Sequence, residues 1–225
     1  MTLVLLAIAP VAIIIFYIYL RDKYEKEPKR LMIYCFVLGG VVSIIITTLF
    51  YMFFDMFLSL NNKYSILEQF IRAFFIVGLT EEFSKYVIVR YYAQPKNAFN
   101  EPYDGIVYAV MVSMGFAAVE NIFYVIEGGV TTAVLRAFTA VPAHATFGII
   151  MGYYMGKAKF ADNRMKYNLL GLLLAIVFHG TYDFFLFINF IPGISIGAFV
   201  SLIIGIILAR KAIKLHQENS NFKHE

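Results

Sequence analysis

From residue 2 to residue 20 the chain carries no charged side chain, and comparable apolar stretches follow one another down to residue 209. About 20 apolar residues in a helix match the thickness of a bilayer's hydrocarbon core. A backbone in hydrocarbon must satisfy its own hydrogen bonds, so it spans as a helix or as part of a closed barrel. These runs are continuously apolar and lack the alternation of a barrel strand, so they are helices. Of 225 residues, 60% are hydrophobic and 15% charged, where a soluble domain carries about 25% charged. The expected fold is all-α, a polytopic membrane helix bundle forming one integral-membrane domain over residues 1–225. Its helical core covers about 2–210, with a polar tail at 211–225.

Seven spans are predicted, over residues 2–20, 31–58, 66–92, 104–126, 131–156, 168–190 and 194–209. The first is an uncleaved span, because no basic segment precedes it and more apolar residues follow Ala7-Ile8-Ala9-Pro10. Residues 93–102 form a loop containing Pro95 and Pro102, and Glu127-Gly128-Gly129 and Pro192-Gly193 stop the fourth and sixth spans. Pro142 lies inside the fifth. Alternate loops then collect 15 of the 19 Lys and Arg residues on one side. By the positive-inside rule that side is cytoplasmic, which puts the N-terminus outside and the C-terminus inside. The same asymmetry accounts for the net charge of +4 without nucleic acid as a partner. The single cysteine, Cys35, excludes an intramolecular disulfide and a cysteine-based metal site; in its apolar run it is a small packing residue.

Against this background the stretch Thr80-Glu81-Glu82-Phe83-Ser84-Lys85 is costly. Each charge at the centre of a membrane helix costs about 2.5–3.5 kcal/mol on insertion scales. At about 1.5 Å rise per residue, Glu81 and Glu82 lie roughly 22 Å along the third span from its outer end, and His144 roughly 20 Å along the fifth. His179 lies roughly 16 Å from the outer end of the sixth span, and Glu120 roughly 9 Å from that of the fourth. Four helices thus bring ionisable residues to reachable depths, which points to one polar site inside the bundle.

Each group also has a structural reading. Glu81 and Lys85 form a favourable i,i+4 pair, although Lys85 cannot serve Glu81 and Glu82 equally. Glu120 and Asn121 can act as hydrogen-bond glue between helices. His144 can cap carbonyls freed by a kink at Pro142. His179 and Asp183 share a face, an arrangement suited to a carboxylate orienting an imidazole and also to a plain buried hydrogen bond. Taken together they form an inventory of carboxylates and imidazoles without a persuasive Ser or Cys nucleophile, which is the equipment for activating water. The route is either general-base catalysis with His or Asn donors or a metal with His and Glu ligands and a further Glu as base. Hydrolysis of an acyl bond, most naturally a peptide, is the matching reaction.

The ordered set of motifs is specific. It comprises Glu81-Glu82-x-x-Lys85, Tyr103-Asp104-Gly105-Ile106-Val107-Tyr108, Gly115-Phe116-Ala117-x-x-Glu120-Asn121-Ile122-x-Tyr124, His144, Ile150-Met151-Gly152-x-Tyr154-x-Gly156-Lys157-Ala158 and His179-Gly180-x-Tyr182-Asp183. In this order the motifs resemble the PrsW family of bacterial intramembrane proteases, whose superfamily includes the type II CAAX prenyl endopeptidases and the ABI proteins. The resemblance implies a site-1 endopeptidase in the bacterial cell membrane. Its substrate would be a single-span membrane anti-sigma factor, and a downstream site-2 protease would act on the product to release a sigma factor in envelope stress. Carried over, Glu81, Glu82 and His179 match the catalytic motifs and His144 an intermediate one. Glu120, His144 and His179 are candidate ligands for a divalent metal such as Zn2+, with Glu81 or Glu82 as base and Lys85, Asn121 and Asp183 in support. Where the superfamily often has Asn, this chain has Asp183, which favours orienting His179 or holding a metal. Asp104 also matches a family motif; its predicted place at a cytoplasmic helix end suits an N-cap.

Two other classes use the same residues. One is a proton- or ion-coupled transporter, since intramembrane Glu and His mark ion pathways; no inverted repeat or interrupted helix pair supports it. The other is a non-catalytic scaffold or immunity-type protein binding a membrane partner.

Overall fold

The computed structural model describes residues 2–220, 222 and 223, so the end of the expected tail at 221, 224 and 225 lies outside the described residues. The described residues are helices joined by short loops, with no strand among them. We number them α1 (Thr2–Arg21), α2 (Lys29–Phe57), α3 (66–93), α4 (Pro102–Phe138), α5 (Ala140–Phe160), α6 (Arg164–Phe187) and α7 (Ile196–Glu218). Five stretches are long and apolar enough to cross a membrane: α1, α2, the continuous run Pro102–Phe160, α6 and α7. The α3 helix is not among them, because Arg72, Glu81, Glu82, Lys85 and Arg90 break up its apolarity.

The 59-residue run Pro102–Phe160 would be roughly 88 Å long if straight, about three times the hydrocarbon thickness. It is not straight. Gly129 takes φ 69°, ψ −158°, and the chain turns back on itself there, so that Arg136 returns to Glu120 and Ala133 to Val125; Thr139, at φ −125°, ψ −80°, makes a second break. Gly105 then lies against Gly152 and Gly156, and Ser113 against Gly148, so α4 and α5 run antiparallel. The predicted stop at Glu127-Gly128-Gly129 thus falls where the helix breaks, and residues 130–138 form a short helical arm that already runs back beside residues 120–125 and leads, through a second break at Thr139, into α5 at Ala140. Pro142 falls in the first turn of α5, where its missing N–H costs no helical bond, and the break in the run lies three residues before it, at Thr139. The last helix also runs on to Glu218, well into the expected tail.

α4 is the core. Every residue from 103 to 118 is buried, with α1, α2 and α5 packed around it. Helices pack so closely in lipid where small residues meet. A Cβ on Gly105 would collide with the backbone of Gly152 and Gly156, and one on Gly115 with the carbonyl of Phe36. Outward faces remain apolar at helical spacing: Ile13, Phe16 and Leu20; Ile33, Val37 and Val41; Leu169, Leu173 and Val177; Val200, Ile203 and Ile207. Such a continuous exposed apolar belt is a lipid-facing surface.

The connecting loops fall into two groups. At one end Lys159 donates to the Gln94 carbonyl (2.6 Å), and Gln94 donates to Met155 O (2.8 Å) and Asn168 Oδ1 (3.0 Å). There too Gln217 bonds Arg21, Ser220 bonds Glu101 and Tyr108 bonds Glu27. Asp104 accepts from the backbone N–H of Asn100 and Glu101, at 2.7 and 2.8 Å. It therefore serves as the third-residue partner in a capping box whose N-cap is Glu101, correcting the expected N-cap role. At the other end Tyr64 packs edge-on to Phe190 (5.5 Å), joining the α2–α3 and α6–α7 loops.

Two predictions test this packing. The Gly105→Ala variant should lose about 1–3 kcal/mol through overpacking of the α4–α5 seam, read as earlier thermal exposure of the sole, buried Cys35 to a thiol-reactive dye. In the α1–α2 loop, burial and a hydrogen bond to Asp104 push the Glu27 carboxyl up to about 11. A raised carboxyl favours the folded state fully below its unfolded value near 4.5, and that contribution is lost as pH rises towards 11. The melting midpoint should therefore fall more steeply between pH 6 and pH 9 in the wild type than in Glu27→Gln.

Candidate active site

The α3 helix carries the centre of the site. It begins at the Ser65 N-cap, whose hydroxyl accepts from the N–H of Glu68 at 3.3 Å. A π-helical stretch, Arg72–Gly78, comes immediately before the two glutamates; such insertions re-aim the side chains that follow and are frequent at functional sites. Gly78 lets α3 approach α6, with its would-be Cβ 3.2 Å from the N of Gly180. That crossing brings Glu82 beside His179.

Glu82 is fully buried. Its Oε1 lies 2.7 Å from Lys85 Nζ and 2.8 Å from His179 Nδ1, while Oε2 has no partner. Glu81 Oε1 accepts the Tyr51 hydroxyl at 2.9 Å. Its Oε2 is buried without a hydrogen bond, 3.6 Å from Lys85 Nζ and 3.9 Å from His179 Nε2. His179 Nε2 is also 3.3 Å from Asp183 Oδ2. On α5, His144 places Nε2 2.8 Å from Glu120 Oε2 and Nδ1 3.3 Å from Lys85 Nζ. The two imidazole rings stand 5.4 Å apart and nearly perpendicular, and Phe147 stacks on His179 at 4.8 Å. Phe116 covers Lys85, its ring centroid 4.3 Å from Nζ. A lysine ammonium thus links both glutamates and one histidine, which is how the expense of adjacent charges in an apolar helix is offset.

His144 gives Nε2–H to Glu120 and turns Nδ1 to the Lys85 ammonium, which makes Nδ1 its lone-pair nitrogen. His179 faces a carboxylate at each nitrogen, Glu82 at Nδ1 and Asp183 at Nε2, and offers Nε2 as a ligand in the tautomer whose proton is given to Glu82. Glu81, His144 and His179 each offer a ligand atom within 4.8 Å of the others. With the unpartnered Oε2 of Glu81, they fit the Glu/His/His donor set of a divalent site, each imidazole backed by a carboxylate on its other nitrogen. The structure groups Glu81, rather than Glu120, with the two imidazoles. Glu120 instead accepts from Arg136 Nη2 (2.9 Å), and Arg136 Nε donates to Asn121 Oδ1 (2.6 Å). Asn121 in turn donates to the Ala7 carbonyl on α1 (2.7 Å), so it ties helices together away from the two glutamates.

Sequence reasoning missed Tyr51 and Arg136. The Arg136 signal was available: a lone cation within an apolar run needs a buried acid, and Glu120 is one. Tyr51 sits among many aromatics on α2 and has no such signal. It also lines a cavity of about 1000 Å³ between α2, α3 and α6, together with Asp55, Lys63, Arg72 and Phe190. This vestibule starts at the α2–α3 and α6–α7 loops and reaches Tyr51, hence Glu81.

Carboxylates and imidazoles converging in the middle of an apolar helix bundle, with a vestibule that reaches the Tyr51–Glu81 pair, define a membrane-embedded hydrolase. Comparison with known proteins narrows the class. Residues 27–209 match the model of the PrsW family of intramembrane metalloproteases, and the chain belongs to that family. It is 43% identical over 180 residues to the Protease PrsW of Oceanobacillus iheyensis, covering 80% of each chain. It is 40% identical over 181 residues to that of Bacillus subtilis, again covering 80% of each. With the Clostridioides difficile relative it shares 35% over 199 residues, 84% of this chain and 80% of the other. No solved structure matches the chain. It is a membrane protease.

Arg136→Leu should strip Glu120 of its cation, leaving only the bond from His144, and cost on the order of 3 kcal/mol, seen as a lower melting midpoint. Combining it with Glu120→Leu should recover much of that stability without restoring proteolysis, because His144 then lacks its carboxylate.

Proposed function

We propose that this protease makes the site-1 cut in a single-span membrane anti-sigma factor, on the outer side of the bacterial cell membrane. A site-2 protease then finishes the product, and the released sigma factor drives an envelope-stress response. The anti-sigma substrate and the stress response come from the resemblance of the ordered motifs. The observation that carries the chemistry is the convergence of Glu81, His144 and His179, with Glu82 held behind His179. The membrane topology in this reading has seven passes with the N-terminus outside. Two features support it: the loops gathered alternately at two ends, and the 15 of 19 basic residues that fall on one side. The vestibule then opens outwards.

Glu81 through Oε2, His144 through Nδ1 and His179 through Nε2 would hold the metal, for which Zn2+ is the first candidate. A divalent ion supplies Lewis-acid polarisation of the scissile carbonyl and of water. The 3.3 Å contact of Lys85 with His144 Nδ1 yields in that case, and its 2.7 Å pair with Glu82 stays. Glu82 is the general base. Lys85 and His179 anchor its Oε1, which leaves Oε2 to take a proton from the attacking water and pass it to the leaving amide nitrogen. Phe116 and Phe147, packed over Lys85 and His179, keep bulk water out.

The two adjacent glutamates should therefore separate by experiment. Purified Glu81→Gln should lose both bound metal, measured by mass spectrometry, and cleavage of a candidate anti-sigma factor in detergent. Glu82→Gln should keep its metal and lose at least about 10²-fold in kcat. Wild-type cleavage by metal-stripped enzyme in chelator would remove the metal from the mechanism, and unimpaired Glu82→Gln would remove Glu82 as the base.

A further inference from the structure

Hydrolysis of a peptide needs a hydrogen-bond donor for the carbonyl oxygen as it becomes an oxyanion. Most donors around the site are already committed. Lys85 is held by Glu82 and contacts His144 beneath Phe116. Arg136 is held by Glu120 and Asn121, and Asn121 by Ala7. Nε2 of His144 faces Glu120, and the two nitrogens of His179 face Glu82 and Asp183. Asp183, as a carboxylate, donates nothing. The N–H groups of Glu81 and Glu82 lie inside a helix. Tyr51 differs. It lines the vestibule, and its hydroxyl hydrogen-bonds Glu81 Oε1, the oxygen opposite the unpartnered one.

We propose that Tyr51 is a catalytic residue, the phenol that donates to the scissile carbonyl oxygen, and that the vestibule above it holds an extended peptide segment of the substrate. The inference rests on the protease reading above. A phenol on α2 needs only to move its O–H from Glu81 Oε1 to the substrate oxygen. In the step itself, water oxygen bonds to the carbonyl carbon, the water proton goes to Glu82, and the C=O π pair moves onto oxygen. Tyr51 donates a hydrogen bond to that oxygen and keeps its proton. When the pair returns, the C–N bond breaks and the nitrogen leaves with the proton from Glu82. The cavity of about 1000 Å³ lies at the upper end of the volumes that hold small ligands. It is lined by both polar and apolar groups, as a peptide with mixed side chains requires: Asp55, Lys63 and Arg72 beside Phe54, Leu58 and Phe187.

The test compares purified wild type with Tyr51→Phe, which keeps the ring and removes the donor. The substrate is a quenched-fluorescent random peptide pool, and the transition-state probe is a Phe–Ala phosphinic dipeptide. The expected result for Tyr51→Phe is a loss of about 10²–10³-fold in kcat, the usual effect of removing one such donor, with KM within a few-fold of wild type. The phosphinate should bind correspondingly more weakly, while metal content and the thermal exposure of Cys35 stay unchanged. Tyr51→Phe that cleaves the pool and binds the phosphinate like wild type overturns the assignment. Loss of metal in step with activity also overturns it, because Tyr51 would then act only by orienting Glu81. A wild type that neither cleaves the pool nor binds the phosphinate overturns the protease reading itself, and this assignment with it.

Discussion

Lys85 sits between Glu81, Glu82 and His144, and much of the structure follows from that contact. Two neighbouring carboxylates in hydrocarbon repel each other and lose their hydration, and neither cost is met by packing. One buried ammonium 2.7 and 3.6 Å away offsets both. It commits α3 to a position where Phe116 of α4 and His144 of α5 close over the amine. Glu82 then reaches His179 of α6, and Glu81 reaches Tyr51 of α2. Five helices are held in register around one cation. The two carboxylate oxygens left without partners, Oε2 of each glutamate, are the positions from which chemistry can be done.

The rest of the bundle makes that arrangement possible. Helix association in lipid lacks the hydrophobic drive available in water and relies on close contact and hydrogen bonds. Gly105, Gly152 and Gly156 bring α4 and α5 together, and Gly78 and Gly180 bring α3 to α6. The polar cross-links, from Thr47 to Ser84 (3.1 Å) and from Ser113 to the His144 carbonyl (2.7 Å), set rotation as well as distance. Polar groups are pooled on the inside while the lipid-facing surface stays apolar. In the protease reading, the vestibule gives water and peptide one route to the reactive carboxylates.

Depth along each helix is legible in the sequence, since rise per residue is constant. That is why residue spacing alone assigns Glu81, Glu82, His144 and His179 to one site. Rotation about the helix axis and the choice of partner between neighbouring helices are not legible in this way. Glu120 is at a reachable depth, yet it faces the rear nitrogen of His144 and Arg136. Glu127-Gly128-Gly129 marks where the arm 130–138 turns back, but the sequence has no way to show that the arm brings Arg136 onto Glu120, or that a second break at Thr139 lets Pro142 open a helix.

By itself the sequence determined that the chain is a helical membrane protein and that carboxylates and imidazoles gather at one level within it. Apolar length and the energetic cost of buried charge leave no other outcome. Through its ordered motifs it also pointed to the family. Only the tertiary structure decided which of the two glutamates joins the imidazoles and which orients His179. It also decided that Tyr51 reaches the site from α2. Those are matters of a few ångströms and of rotation between helices, and they follow from how small residues and the Lys85 cluster lock the bundle rather than from any one helix's own pattern.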